Sequence, residues 1–194
     1  MKRFSWVVLA GLVFLTSSAF AQDITYGVIG GLGSSFFDGY DQNDGLVTKT
    51  AMGINLGVTG AYEYKDNIIL RGTIAYSKYF PGSDSFDWGK FDYTVGDLSI
   101  ELDANYYFND KVYGIAGTGT HMLSYKIDYT YDPNYYWGWG GSGTYDWGTT
   151  NFGLHLGAGY KLNDKLAVEA KYILVSDIPQ LKVSAVYYLG TYSF

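Results

Sequence analysis

Along most of the chain apolar and polar positions alternate with a period of two, the spacing of side chains on the two faces of a pleated strand. The stretch 97–108 is clearest: Leu98, Ile100, Leu102, Ala104, Tyr106 and Phe108 alternate with Asp97, Ser99, Glu101, Asp103 and Asn105. A helix, at 3.6 residues per turn, would scatter both sets around its circumference. The same reading gives strand one from about Ile24 to Ser34, strand two from about Met52 to Tyr64, and strand three over Ile68 to Ser77. Strand six follows over Asn151 to Leu162 and strand seven over Leu166 to Tyr172.

Two strands resist assignment. Over Val112 to Ser124, Tyr113, Ile115, Gly117 and Gly119 compete with Val112, Ala116, Thr118 and Thr120 for the apolar face, and the register stays open. In the final strand Leu181, Val183, Ala185, Tyr187 and Leu189 are as apolar as Val186, Tyr188, Tyr192 and Phe194 on the other parity, and a bulge near Ala185 would reconcile them.

Short turns separate alternate pairs. Tyr64-Lys65-Asp66-Asn67-Ile68, Phe108-Asn109-Asp110-Lys111-Val112 and Leu162-Asn163-Asp164-Lys165-Leu166 each set a polar triplet between apolar residues. Asn and Asp side chains bond turn backbone and tolerate left-handed conformations, so each reads as a tight hairpin. Longer polar or Gly- and aromatic-rich loops join the other pairs, up to Lys49, over Phe80–Phe91 and over Tyr125–Gly148. The expectation is an all-β, eight-stranded antiparallel up-and-down barrel.

The N-terminus is set apart. Lys2 and Arg3, the apolar run Val7 to Leu15 and the small-x-small Ala19-Phe20-Ala21 read as a secretory signal peptide over residues 1–21, leaving a barrel domain over 22–194. An uncleaved anchor is the alternative, but the run is short for a bilayer. Without Lys2 and Arg3 the formal charge falls from -6 to -8, which gives nucleic acid no electrostatic footing. The chain has no cysteine, so disulfides and thiolate metal sites are excluded. After residue 21 no apolar run reaches the length of a transmembrane helix, so any membrane crossing is by strands.

Which face is polar separates a soluble barrel from a membrane one. Here the polar parity is mostly Gly, Ala, Ser, Thr and Asn, which suits a narrow lumen better than a hydrated exterior. Large apolar residues then face lipid, where a cationic side chain costs ~2–4 kcal/mol at the midplane; none falls there in the strands read above. Tyr26, Tyr62, Tyr64, Tyr106, Phe108, Tyr160 and Tyr192 lie near the short turns and termini, as a periplasmic aromatic girdle would. A soluble exported barrel remains the fold-level alternative.

The signal peptide, the alternating turns and loops, and the Tyr192-x-Phe194 ending resemble the small eight-stranded outer-membrane barrels of Gram-negative bacteria: the OmpA transmembrane domain and the OmpX-like, "porin family" proteins. The resemblance implies a bacterial outer-membrane location, a polar interior, contact with outer-membrane lipid and lipopolysaccharide, and a monomer. It also implies that Tyr192 and Phe194 are read by the barrel assembly machinery.

Three features carry candidate chemistry. On this register Glu63, Arg71, Asp97, Glu101, Asp103, Lys161, Glu169 and Lys171 fall in the lumen, forming either a static ion-paired core or a gate for small solutes. Eight strands leave an interior that side chains fill, which favours the static core. His121 and His155 raise a lipid A hydrolase, but His121 and Ser124, three apart, sit on opposite faces of a strand, and His155 lies among lumen glycines. The third is the loop bearing Tyr129, Tyr131, Tyr135, Tyr136, Trp137, Trp139, Tyr145 and Trp147. Tyr and Trp offer large contact area at low entropic cost, as in paratopes, for an extracellular protein or glycan; equally, strands five and six extend here with aromatics packed across the hairpin. Asp41, Asp44, Asp84, Asp87 and Asp132 lack EF-hand spacing, and no metal or cofactor is expected. The expected role is non-enzymatic, structural or surface-binding, with a narrow channel and then a lipid A modifying enzyme as alternatives.

Overall fold

β1 (Ile24–Asp41), β2 (Gly45–Lys65), β3 (Ile68–Phe86), β4 (Gly89–Tyr107), β5 (Val112–Tyr131), β6 (Gly141–Asn163), β7 (Leu166–Val175) and β8 (Gln180–Tyr192) pair antiparallel in chain order, and β8 returns to β1 to close a barrel. The computed structural model describes residues 23–41, 45–86, 89–132, 141–176 and 178–193. The signal segment and Phe194 lie outside them, as do Asp44, Asp87, Tyr135, Tyr136, Trp137 and Trp139.

Closure staggers the strands. Paired residues lead from Thr25 through Ala61, Arg71, Asp103, Gly117, His155, Ile173 and Gln180, and arrive back on β1 at Ser35. That offset is the shear that tilts barrel strands. It also stacks residues distant in sequence along one inner row.

The turns work as their residues predict. Asn109 Oδ1 accepts from the backbone N–H of Lys111 at 2.9 Å and Val112 at 2.8 Å, and Asn163 Oδ1 accepts likewise from Lys165 and Leu166, both at 2.9 Å. The Asp66-Asn67 turn, like the Asp164-Lys165 turn, leaves two residues between strands and carries a register shift, here between Glu63 and Lys65.

Four expectations change. The segments read as long loops are largely strand: β1 and β2 run on to Asp41 and Gly45, β3 and β4 to Phe86 and Gly89, β5 and β6 to Tyr131 and Gly141. Tyr113, Ile115, His121 and Leu123 point inward, which settles the register of β5. In β8 the bulge is at Leu189, where Tyr26 pairs with Gly190 and Gly27 with Tyr188, not near Ala185. Above it Leu181, Val183, Ala185 and Tyr187 face out while Val186 and Tyr188 turn inward. Finally, Lys78 lies on the outer face, its ammonium 5.3 Å from the Phe80 ring centre. It stands near the upper rim, opposite Gly96, where a long side chain reaches the headgroups and the cost of charge falls.

The outer surface between the two rims is apolar. Leu56 is 71% exposed and Phe152 65%, and Met52, Ile54, Val58, Leu154 and Leu156 are comparably open. In water this would be an aggregation surface; in lipid it is the solvent-matched face. Tyr106 and Phe108 meet edge to face beside the lower turn, at 5.3 Å.

Candidate functional site

Within the barrel, polar side chains of seven strands converge on a buried cluster. Asp97, Glu101, Asp103 and Glu169 face Arg71, Lys171 and Lys182, all buried. The Arg71 guanidinium grips Glu169 with both Nη atoms, Nη2 to Oε2 at 2.9 Å, and donates to Asp103 Oδ2 at 3.2 Å. Lys171 binds Glu101 and, at 3.0 Å, Asp103. Lys182 stands 3.7 Å from Asp97 and 3.6 Å from Glu101. Buried charge costs several kcal/mol per ion unless paired, and here every carboxylate has a cation or several donors.

Neutral groups complete the network. Tyr113 donates to Glu169 at 2.7 Å, Ser99 to Glu101 at 2.8 Å, Gln180 to Asp97 at 2.9 Å and Tyr79 to Gln180 at 2.9 Å. His121 Nδ1 lies 3.0 Å from Asp97 Oδ2, His155 Nδ1 3.0 Å from Asp103 Oδ1, and the two Nε2 atoms are 3.3 Å apart. Small residues opposite these groups provide the room. A Cβ on Gly117 would lie 2.2 Å from Asp103 Oδ1, and one on Gly159 2.2 Å from the Tyr113 ring.

Two apolar layers close this cluster. Toward the ends of the strands remote from the short turns lie Ala51, Tyr79, Val95, Leu123, Ile173, Val175 and Ile178. Toward the short turns lie Ile29, Tyr113, Ile115, Ala167 and Val186, with Tyr107 and Tyr188 against them. Between them a cavity of about 10 Å³ bordered by Asn55, Glu101, Lys171 and Ser184 has room for a single water.

Beyond the upper apolar layer the two faces exchange character. Inward positions on β4, β5 and β6 continue as Phe91, Tyr93, Tyr125, Ile127, Tyr129, Tyr131, Tyr145 and Trp147, while outward positions become Lys90, Asp92, Lys126, Asp128, Thr130, Thr144 and Asp146. Tyr125 stacks on Trp147 at 4.9 Å and 8°, and Phe91 meets Tyr131 edge to face at 6.2 Å. Polar ladders line the other side, with Lys126 bonded to Asp128 at 2.7 Å and Lys90 to Asp92 at 3.0 Å. An outward face that turns from Leu and Ile to Lys and Asp has left the hydrocarbon.

Comparison with known proteins agrees with this geometry: the family model described as "Outer membrane protein beta-barrel domain" matches residues 7–194. The chain belongs to the outer membrane protein beta-barrel domain family. Among solved structures it is similar in fold to Ail, the attachment invasion locus protein of Yersinia pestis, at 14% identity and a TM-score of 0.55, covering 88% of this chain and all (100%) of that one. Neisserial surface protein A aligns at 13% identity and a TM-score of 0.47, covering 89% of this chain and 97% of that one. No curated protein sequence matches the chain. The protein is an outer-membrane barrel, with short turns at one rim and extended hairpins at the other.

Against this outer-membrane frame the singled-out residues divide. Arg71, Asp97, Glu101, Asp103, Glu169 and Lys171 meet in one cluster. Glu63 and Lys161 share the lumen parity but sit near the turns, outside it. Glu63 is exposed beside the register shift that precedes the Asp66-Asn67 turn, and half-buried Lys161 lies 4.4 Å over the Tyr107 ring. Lys182, Gln180, Tyr79 and Tyr113 join the cluster without having been singled out for it. The alternation of Leu181, Lys182 and Val183 was the available signal for Lys182. Tyr129, Tyr131, Tyr145 and Trp147 lie on the hairpins, with Tyr145 63% and Trp147 43% exposed. Tyr192 is exposed at the lower rim. Ser124 faces outward while His121 is buried in the lumen, so the two do not meet.

Proposed function

We propose that this outer-membrane barrel is a non-enzymatic surface-interaction protein that binds an extracellular protein or glycan through the hairpins of β3–β4 and β5–β6. The observation that carries this reading is the exchange of faces above the bilayer. Aromatic residues of β4, β5 and β6 form one continuous sheet surface in a compartment where burial against lipid is no longer available. Rigid Tyr and Trp side chains on a strand scaffold offer contact area at small entropic cost. The barrel beneath serves as a pedestal. The ion-paired interior between two apolar layers supports that role over a channel, and the separation of Ser124 from His121 weighs against hydrolysis of lipid A.

On this reading residues 1–21 direct export and are cleaved, Tyr192 and Phe194 engage the assembly machinery, and the barrel works as a monomer beside lipopolysaccharide. N-terminal sequencing of the membrane form is expected to begin at Gln22. The binding test is to replace residues 126–146 with a two-residue turn and to measure attachment of expressing cells to immobilised matrix proteins and glycan arrays. Attachment is expected to vanish while the barrel still shifts on a gel only after boiling. Attachment that survives the replacement rules this hairpin out.

A further inference from the structure

The two lumen histidines are held in a way that the ion-pair network alone does not require. Each Nδ1 faces a carboxylate, Asp97 for His121 and Asp103 for His155, at 3.0 Å. An ionised carboxylate only accepts, so each Nδ1 carries its hydrogen and Nε2 is the ring atom left to take a metal. The two Nε2 atoms face one another at 3.3 Å. Both rings are fully buried, and among the described residues Nε2 of each finds no other partner than the facing Nε2.

We propose that His121 Nε2, His155 Nε2 and a Glu101 carboxylate oxygen form a binding site for a divalent transition metal of the zinc class. The ligand atoms of these three residues all lie within 4.8 Å of one another. With zinc–nitrogen bonds of about 2.0–2.1 Å, two ligands at a tetrahedral angle stand roughly 3.3–3.4 Å apart, the separation found here. The pairing of each imidazole with a carboxylate through Nδ1 is the arrangement that fixes the tautomer and orientation of metal-bound histidine. Glu101 has capacity left: Lys171 holds Oε2 and Ser99 holds Oε1 at 2.8 Å, while each carboxylate oxygen offers two lone pairs. Three protein ligands leave the fourth tetrahedral position open to a water.

Packing and charge agree. A Cβ on Gly153 would stand 2.9 Å from His121 Nε2, and one on Gly119 3.0 Å from His155 Cε1, so both imidazoles lie against backbone that has no side chain. The four carboxylates of the cluster outnumber Arg71, Lys171 and Lys182 by one, leaving a negative site for a cation. Lys182, 3.6 Å from Glu101, competes for it and sets an upper limit on affinity. The apolar layers on either side imply that the metal enters while the barrel folds and then exchanges slowly.

The test uses untagged full barrel refolded in detergent with zinc, washed with chelator and analysed by elemental mass spectrometry. The expected result is about one zinc per folded chain, falling below roughly a tenth in the His121→Asn/His155→Asn double variant. Zinc added after folding should load far more slowly. Where the double variant does not fold, cobalt refolded into the wild type decides, through the intense visible bands of a tetrahedral nitrogen–oxygen site. Folded wild-type barrel that retains neither metal, or a folded double variant that retains as much zinc as wild type, overturns the proposal and leaves a shared proton between the rings.

Discussion

Replacing Arg71 with Met removes the cation at the centre of the lumen while keeping a long side chain in its place. Arg71 is the only guanidinium in the cluster, bonded twice to Glu169 and once to Asp103. After the change Asp103 keeps Lys171 and His155, but Glu169 keeps only the Tyr113 hydroxyl, and four carboxylates face two cations. Breaking a buried pair by removing one partner costs about 3–5 kcal/mol, because an uncompensated charge stays buried. At a urea slope of about 2 kcal/mol/M this moves the unfolding midpoint by roughly 1.5–2.5 M. The assay is urea-dependent, reversible folding into lipid vesicles, read by tryptophan fluorescence and by heat-modifiable migration. Arg71→Met/Glu169→Gln, which removes the orphaned charge as well, should recover at least about half of the loss, a coupling of roughly 2 kcal/mol. A single variant within about 0.5 kcal/mol of wild type would refute the reasoning, since it would mean that the interior is wet enough to solvate Glu169.

Other substitutions probe the remaining layers. Leu56→Arg, on the most lipid-open side chain of β2, should destabilise by ~2–4 kcal/mol in vesicles, whereas Lys78→Leu at the upper rim should be near neutral in the same urea titration. Gly159→Ala pushes a methyl into the Tyr113 ring and should cost about 1–3 kcal/mol by overpacking and by loosening the bond to Glu169, measured as a lower urea midpoint. Trp147→Ala removes the stack on Tyr125 above the bilayer and should change barrel stability by less than about 0.5 kcal/mol, while reducing attachment in the cell-binding assay.

The alternation of Leu98 to Phe108 with Asp97 to Asn105 carried the fold in the bare sequence, because a half-lipid, half-lumen strand has no other way to be written. The Asn109 and Asn163 turns were equally legible, since their side-chain bonds are local. What stayed hidden needs the partner strand. β5 has Gly on both parities, so only pairing with β4 and β6 decides that His121 points inward. In β8 both parities are apolar because Val186 and Tyr188 pack in the lower lumen layer, and a bulge at Leu189 switches the outward set. That ambiguity also hid Lys182. Of the long loops, the strand extension offered for Tyr125 to Gly148 is the reading that holds, while Phe80 to Phe91 reads as a loop because β3 shifts register between Tyr79 and Gly82, and because Phe91 to Tyr93 and Tyr125 to Tyr131 keep their alternation but exchange its sense above the membrane. The proximity of His121 to His155 follows from barrel stagger and has no signature in sequence spacing.

The central claim is that the lumen is closed and that function resides in the hairpins. Single-channel recording of the purified, folded barrel in a planar bilayer tests it most directly. A bilayer holding barrels verified by heat modifiability should show no resolvable conductance steps across the working voltage range. Reproducible, ion-selective steps that change with Arg71→Met or Lys171→Met would contradict the account and make the ion-pair cluster a gate.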